Sequence, residues 1–126
     1  MAIKSMDLAW ISTSDFARSK KFFVDVLGLK VSSMTEEYEW MELTGSHGGA
    51  ILGVGKCTKD SPVQAGKNAV MTMSVDDLIK TKADLEAKGV TFVGDILVVP
   101  GHVKMAFFTD PDGNFFQLVQ LLIDKP

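Results

Sequence analysis

The sequence predicts an α+β fold made of two βαβββ modules. Three observations carry that expectation. Each half opens on a strand pattern that runs into an amphipathic helical period, each helical period stops at a glycine, and three short apolar strand patterns follow each glycine. The 126 residues read as one domain over 1–126, with modules at about 5–55 and 67–123 and a linker at about 56–66.

In the first half, "MDLAWIST" (6–13) alternates as a strand, with Met6, Leu8, Trp10 and Ser12 on one face. Ser14 is placed to cap a helix over about 15–27, and Asp15 suits its positive end. Phe16, Phe23 and Leu27, with Phe22 and Val26, form the apolar stripe, and Gly28 ends it. "LKVSSM", "YEWMELT" and "GAILGVG" follow as strands.

The second half repeats the plan. "NAVMTMSV" is a strand, Asp76 is placed to cap a helix through Lys88, and Gly89 closes it. "VTFVGDILVV", with a break expected at Gly94-Asp95, then "VKMAFFT" and "NFFQLVQLL" complete the module. The halves align with Asp15 over Asp77, Phe16 over Leu78, Gly28 over Gly89, Thr44 over Thr109 and Gly48 over Gly113. Residues 55–67 are polar and turn-rich, as a linker should be.

Composition narrows the function. A net charge of −3 without a basic stripe argues against nucleic acid as a partner. The longest apolar runs, such as "FFQLVQLLI", fall far short of the roughly 20 residues of a membrane helix. The start "MAIKSMDLAW" has no signal-peptide pattern, and the single Cys57 cannot form an internal disulfide. Both favour the cytoplasm. Cys57 reads as a reduced, surface or half-buried thiol. No Ser-His-Asp or Cys-His set, phosphate loop or dinucleotide fingerprint is present.

Three segments, in order, carry a family resemblance: "STSDFARSKKFFVDVLGLKV", "MSVDDLIKTKADLEAKGV" and "FFTDPDGNFFQL". Together they resemble the vicinal oxygen chelate superfamily of glyoxalase I, bleomycin resistance proteins, fosfomycin resistance enzymes and extradiol dioxygenases. The last segment is similar to that family's F-x-D-P-D-G-N-x-x-E-L. The resemblance spans about Met6 to Leu121. It implies modules curled into a U-shaped, half-open barrel with a small-molecule site inside, and homodimers in many members.

The resemblance also implies where a metal would bind. The family's metal enzymes use His, Gln or Glu, because a divalent ion needs imidazole and anionic oxygen converging on one point. Carried over by motif, the ligand positions fall on Leu8, Val70 and Gln117, with Leu52 as a fourth pseudo-equivalent from the internal alignment. Three are aliphatic and cannot coordinate a metal. The expectation is therefore no metal and no cofactor, which argues against metal-dependent glyoxalase or dioxygenase activity.

Strand parity proposes an inward set of Leu8, Trp10, Leu52, Val70, Thr72, Gln117 and Val119. Each alone reads as core packing; as a set they describe an apolar pocket with polar handles at Thr72 and Gln117. An indole at Trp10 can stack on a planar ligand and donate one hydrogen bond. Glu42 alternates with Trp40 and Thr44; a strand acid ordinarily faces solvent, whereas an inward Glu42 with a raised pKa would suit a general base. His102, after "VVPG", is a loop histidine that could pass a proton or donate to a ligand. Lys104 stands where many family members carry a basic residue, and could hold a ligand carboxylate. His47 reads as turn surface, and Met71 and Met73 share the helix-side parity.

Two functions follow. The first is a metal-independent protein that binds a small hydrophobic or aromatic molecule in an apolar cavity, as a cytoplasmic homodimer. The second is a glyoxalase-like enzyme of lyase, isomerase or dioxygenase type, using Glu42, His102 or Gln117 without the usual ligands.

Overall fold

In the computed structural model, residues 6–61, 63–67 and 71–122 are described. They divide into two compact units, Met1–Asn68 and Ala69–Pro126. The first unit contains β1 (Ala9–Thr13), α1 (Phe16–Lys20), β2 (Lys30–Thr35), β3 (Trp40–Gly45) and β4 (Gly48–Lys56). Its sheet has the order β1-β4-β3-β2, with β1 parallel to β4 and the other pairs antiparallel. The second contains β5 (Met71–Ser74), α2 (Leu78–Ala87), β6 (Thr91–Val99), β7 (Val103–Thr109) and β8 (Phe115–Leu121). Its sheet runs β5-β8-β7-β6 with the same pattern of directions. The two βαβββ modules of the sequence are present in order.

Both helices start one residue later than the sequence suggests. Asp15, not Ser14, is the first cap: its carboxylate accepts from the Arg18 N–H at 3.0 Å. Asp77, not Asp76, caps α2 through the Lys80 N–H, also at 3.0 Å. At α1 a carboxylate cap satisfies one orphan N–H and also faces the positive helix end, an advantage over Ser14; at α2 both candidates are aspartates. Ser14 Oγ instead accepts from the Arg18 guanidinium at 2.9 Å.

After Lys20 the first helix widens into π-helical turns over Lys21–Val26. The Leu27 N–H reaches back five residues to Phe22 C=O at 3.0 Å. α2 ends in a Schellman motif, with Val90 N–H on Leu85 C=O and Gly89 N–H on Glu86 C=O. Around Gly28 the matching bond runs from Leu29 to Phe23, one residue wider because the helix is π-wound there.

Each helix lies on one sheet face, and the core sits beneath it. In the first unit Ile11, Met41, Leu43, Leu52 and Val54 are buried on that face, with Phe16 and Phe23 buried on the helix. The second buries Ala106, Phe108, Phe116 and Leu118 under Leu78 and Leu85, with Phe108 and Phe116 stacked at 5.5 Å. Fully burying a Phe of this kind is worth about 2–3 kcal/mol. Cys57 is more buried than its polar surroundings suggest, because its N–H continues the β1 ladder onto Thr13 C=O at 2.9 Å. The expected break in β6 is a bulge: Gly94, Asp95 and Ile96 lie opposite Ala106 alone.

Candidate functional site: an aromatic and carboxylate face

Side chains on the sheet face opposite α1 differ in kind from the core. Trp10 in β1 pairs in register with Gly53 in β4, which pairs with Glu42 in β3; Trp40 pairs with Gly55. Paired residues share a face, so Trp10, Trp40 and Glu42 stand over a strand that offers only glycines beneath them. A Cβ at Gly53 would lie 2.5 Å from Cη2 of Trp40 and 2.9 Å from Cβ of Trp10; one at Gly55 would lie 2.9 Å from Cε3 of Trp40. The benzo ring of Trp40 occupies the space both missing side chains would take. Trp10 meets it edge-on, with ring centroids 6.0 Å apart at 61°. Trp40 Nε1 donates to Glu42 Oε2 at 2.9 Å. Trp40 and Glu42 are half-buried and Trp10 is 46% exposed, so indole surface stays open.

The second unit places a polar relay on its own helix-free face. Thr72 Oγ1 donates to Gln117 Oε1 at 2.8 Å, and Gln117 Nε2 donates to Met105 Sδ at 3.2 Å. Sulfur accepts only, so the amide nitrogen belongs on Met105 and the oxygen on Thr72. Val119 shares this face through its pairing with Met105.

Other expected site residues are distributed differently. Leu8, 36% exposed, precedes β1 with the parity of Trp10. Val70 lies outside the described residues. Leu52 does not share the face of Trp10: it pairs with Leu43 on the helix-covered face and is 4% exposed. The residue matching Gln117 is Gly53, because Leu43↔Leu52 corresponds to Phe108↔Phe116. Lys104 alternates with Ala106 and Phe108 and pairs with Gln120, which puts it on the helix side of its sheet. There, Gln120 Oε1 accepts from the Leu78 N–H at 2.8 Å. His102 is exposed in the Pro100-Gly101-His102 turn, its N–H on Val99 C=O at 2.9 Å. Glu42 is half-buried rather than fully solvated, and its carboxylate accepts from an indole. Sequence reasoning passed over Trp40, Gly53 and Gly55, although "YEWMELT" and "GVG" hold the alternation that brings them together.

The chain belongs to the Glyoxalase/Bleomycin resistance protein/Dioxygenase superfamily, whose family model matches residues 5–118. YraH of Bacillus subtilis (strain 168) is 29% identical, over 86% of this chain and 92% of its own. A superfamily member from Sphaerobacter thermophilus DSM 20745 has the same fold, with a TM-score of 0.79, 23% identity, and 94% and 98% of the two chains covered. TnmS3, an antibiotic binding protein from Streptomyces sp. CB03234, matches with a TM-score of 0.74 and 25% identity, covering 96% of this chain and 98% of that one.

Metal ions serve some members of such a family, and the residues here do not fit one. Leu8, Val70 and Gly53 offer no side-chain donor, and both ends of the Gln117 amide are engaged. Among the described residues, no three His, Cys, Asp or Glu side chains group closely enough to hold an ion.

Proposed function

We propose that this protein binds a small hydrophobic or aromatic molecule without the help of a metal, with Trp10 and Trp40 as its aromatic contacts. The carrying observation is the pair of indoles at 6.0 Å over Gly53 and Gly55, with ring surface left exposed. Exposed indole held rigid by its backing offers stacking area at little entropic cost on binding. Likeness to TnmS3, an antibiotic binding protein, supports a small-molecule ligand. The ligand-position chemistry supports holding a molecule over transforming it, since Lewis-acid catalysis needs donors these positions lack. Leu8, with the parity of Trp10, completes the set of contacts we assign to the ligand. The same reading makes the chain one domain that works as a homodimer in the cytoplasm; light scattering on the purified protein checks the dimer.

The test is thermal unfolding with 8-anilinonaphthalene-1-sulfonate, 9-aminoacridine and bleomycin, each with and without EDTA. A ligand at 100 times its Kd adds about 2.7 kcal/mol, a plain upward shift in Tm. Stabilisation that survives EDTA, with the compound recovered intact, is the expected result. No stabilisation by any of the three, or turnover that starts on adding a divalent metal, would overturn it.

A further inference from the structure

The indole pair does not stand alone, and its neighbour gives it a charge preference. Glu42 holds one carboxylate oxygen on Trp40 Nε1 at 2.9 Å, which fixes the side chain beside the aromatic surface. Among the described residues nothing donates to the other oxygen, and no lysine, arginine or histidine pairs with the group. A half-buried carboxylate with a vacant oxygen beside exposed indole is a complementary pair for one kind of ligand. The flat apolar body stacks on indole, and a cationic or N–H donor group on its rim reaches the carboxylate. Both indoles add to the same preference, since a ring face attracts a cation within about 6 Å.

We infer that Glu42 and the Trp10–Trp40 pair select a planar aromatic ligand bearing a cationic or N–H donor group, and disfavour anionic aromatics. This rests on the binding function proposed above and adds to it the charge of the ligand. A neutral or anionic aromatic gains the stacking and loses the ion pair. With an anion, the carboxylate also repels.

Three probes of one three-ring shape separate the terms: 9-aminoacridine, a cation at neutral pH; acridine, neutral there; and anthracene-9-carboxylate, an anion. Calorimetric titration at low salt is expected to rank them in that order, with 9-aminoacridine about tenfold tighter than acridine. Glu42→Gln keeps an oxygen for the Trp40 indole and removes only the charge. It should erase that margin, so that acridine and 9-aminoacridine bind the variant equally. Trp10→Ala should weaken all three, with circular dichroism confirming that both variants fold.

If acridine and 9-aminoacridine bind the wild type equally, or the margin survives in Glu42→Gln, the charge selection is wrong and the binding function stands. If none of the three binds, the charge selection is wrong, and the thermal test above decides the binding function by itself.

Discussion

Gly53 leaves room that Trp40 fills: a Cβ placed there would come within 2.5 Å of the indole Cη2. The glycine is a steric requirement of the aromatic site, since both neighbours in that space are side chains of the proposed contact surface. Gly53→Ala should displace Trp40 and cost about 1–3 kcal/mol in urea unfolding. Gly55→Ala should cost less, because its nearest approach is 2.9 Å to a ring edge. Tryptophan emission should shift to the red in the first variant as the ring leaves its backing. Equal stability and emission in wild type and Gly53→Ala would show that the ring moves aside freely.

The indole–carboxylate bond between Trp40 and Glu42 couples two side chains two residues apart in β3. Trp40→Phe removes the donor and Glu42→Ala the acceptor. A double-mutant cycle should return a coupling of about 1 kcal/mol, modest because both groups keep access to water. Additive effects would mean that the bond adds nothing to folding.

Asp15 and Asp77 occupy the same place in the two modules, each accepting from an N–H three residues on. Asp15→Ala and Asp77→Ala should each cost about 1 kcal/mol in denaturant unfolding. Ser14→Ala and Asp76→Ala should cost clearly less, because neither supplies the cap.

The one-residue shift of those caps shows where sequence reading was sharp and where it was not. Element order, both glycine stops and the exact span of β7 were legible, because periodicity and helix-ending residues act locally. Cap identity was not: both residues of Ser14-Asp15 and of Asp76-Asp77 are able to cap a helix, so residue type alone does not choose between neighbours. The misplacement of Leu52 has a different cause. The β3–β4 hairpin carries a register shift between Leu43 and Gly45, whereas β7–β8 runs without one. That one extra residue is invisible to an ungapped alignment, and in a strand it turns the side chain to the opposite face. Lys104 lies on the helix side because it shares the parity of Ala106 and Phe108, which a family position by itself does not reveal. Trp40 was missed for a physical reason. Its importance depends on the glycines of another strand, and that partnership is set by pairing register.

Metal independence has its own measurement. Dialysis against EDTA should leave Tm unchanged, and equilibration with nickel or zinc followed by gel filtration should retain far less than one ion per chain. A structural or catalytic site would instead couple metal to stability by mass action. A Tm that falls on chelation and recovers with one metal would refute the assignment.

Asp110 ties the "DPDGN" loop together, and its titration gives the last expectation. Its Oδ1 accepts from the Asp112 N–H at 3.0 Å and the Asn114 N–H at 2.8 Å, and Oδ2 accepts from Asn114 Nδ2 at 2.9 Å. The side chain is 6% exposed, and that burial pushes its pKa above the ordinary 3.8, with Asp112 adding to the rise. Bonds from Asn114 pull the other way without reversing it. Because the folded state holds this proton more tightly than the unfolded chain, the contribution of Asp110 to stability is fullest below 3.8. It declines as pH rises through the folded value. Asp110→Asn keeps an acceptor for the two backbone N–H groups and sets its own amide against Asn114 Nδ2. It should cost about 1–3 kcal/mol and abolish that slope. Urea unfolding of both proteins from acid to neutral pH measures the difference. The wild-type advantage should be largest in acid, shrink above 3.8 and then level off. An advantage that grows with pH across that window would mean that the loop's hydrogen bonds outweigh burial in setting the charge of Asp110.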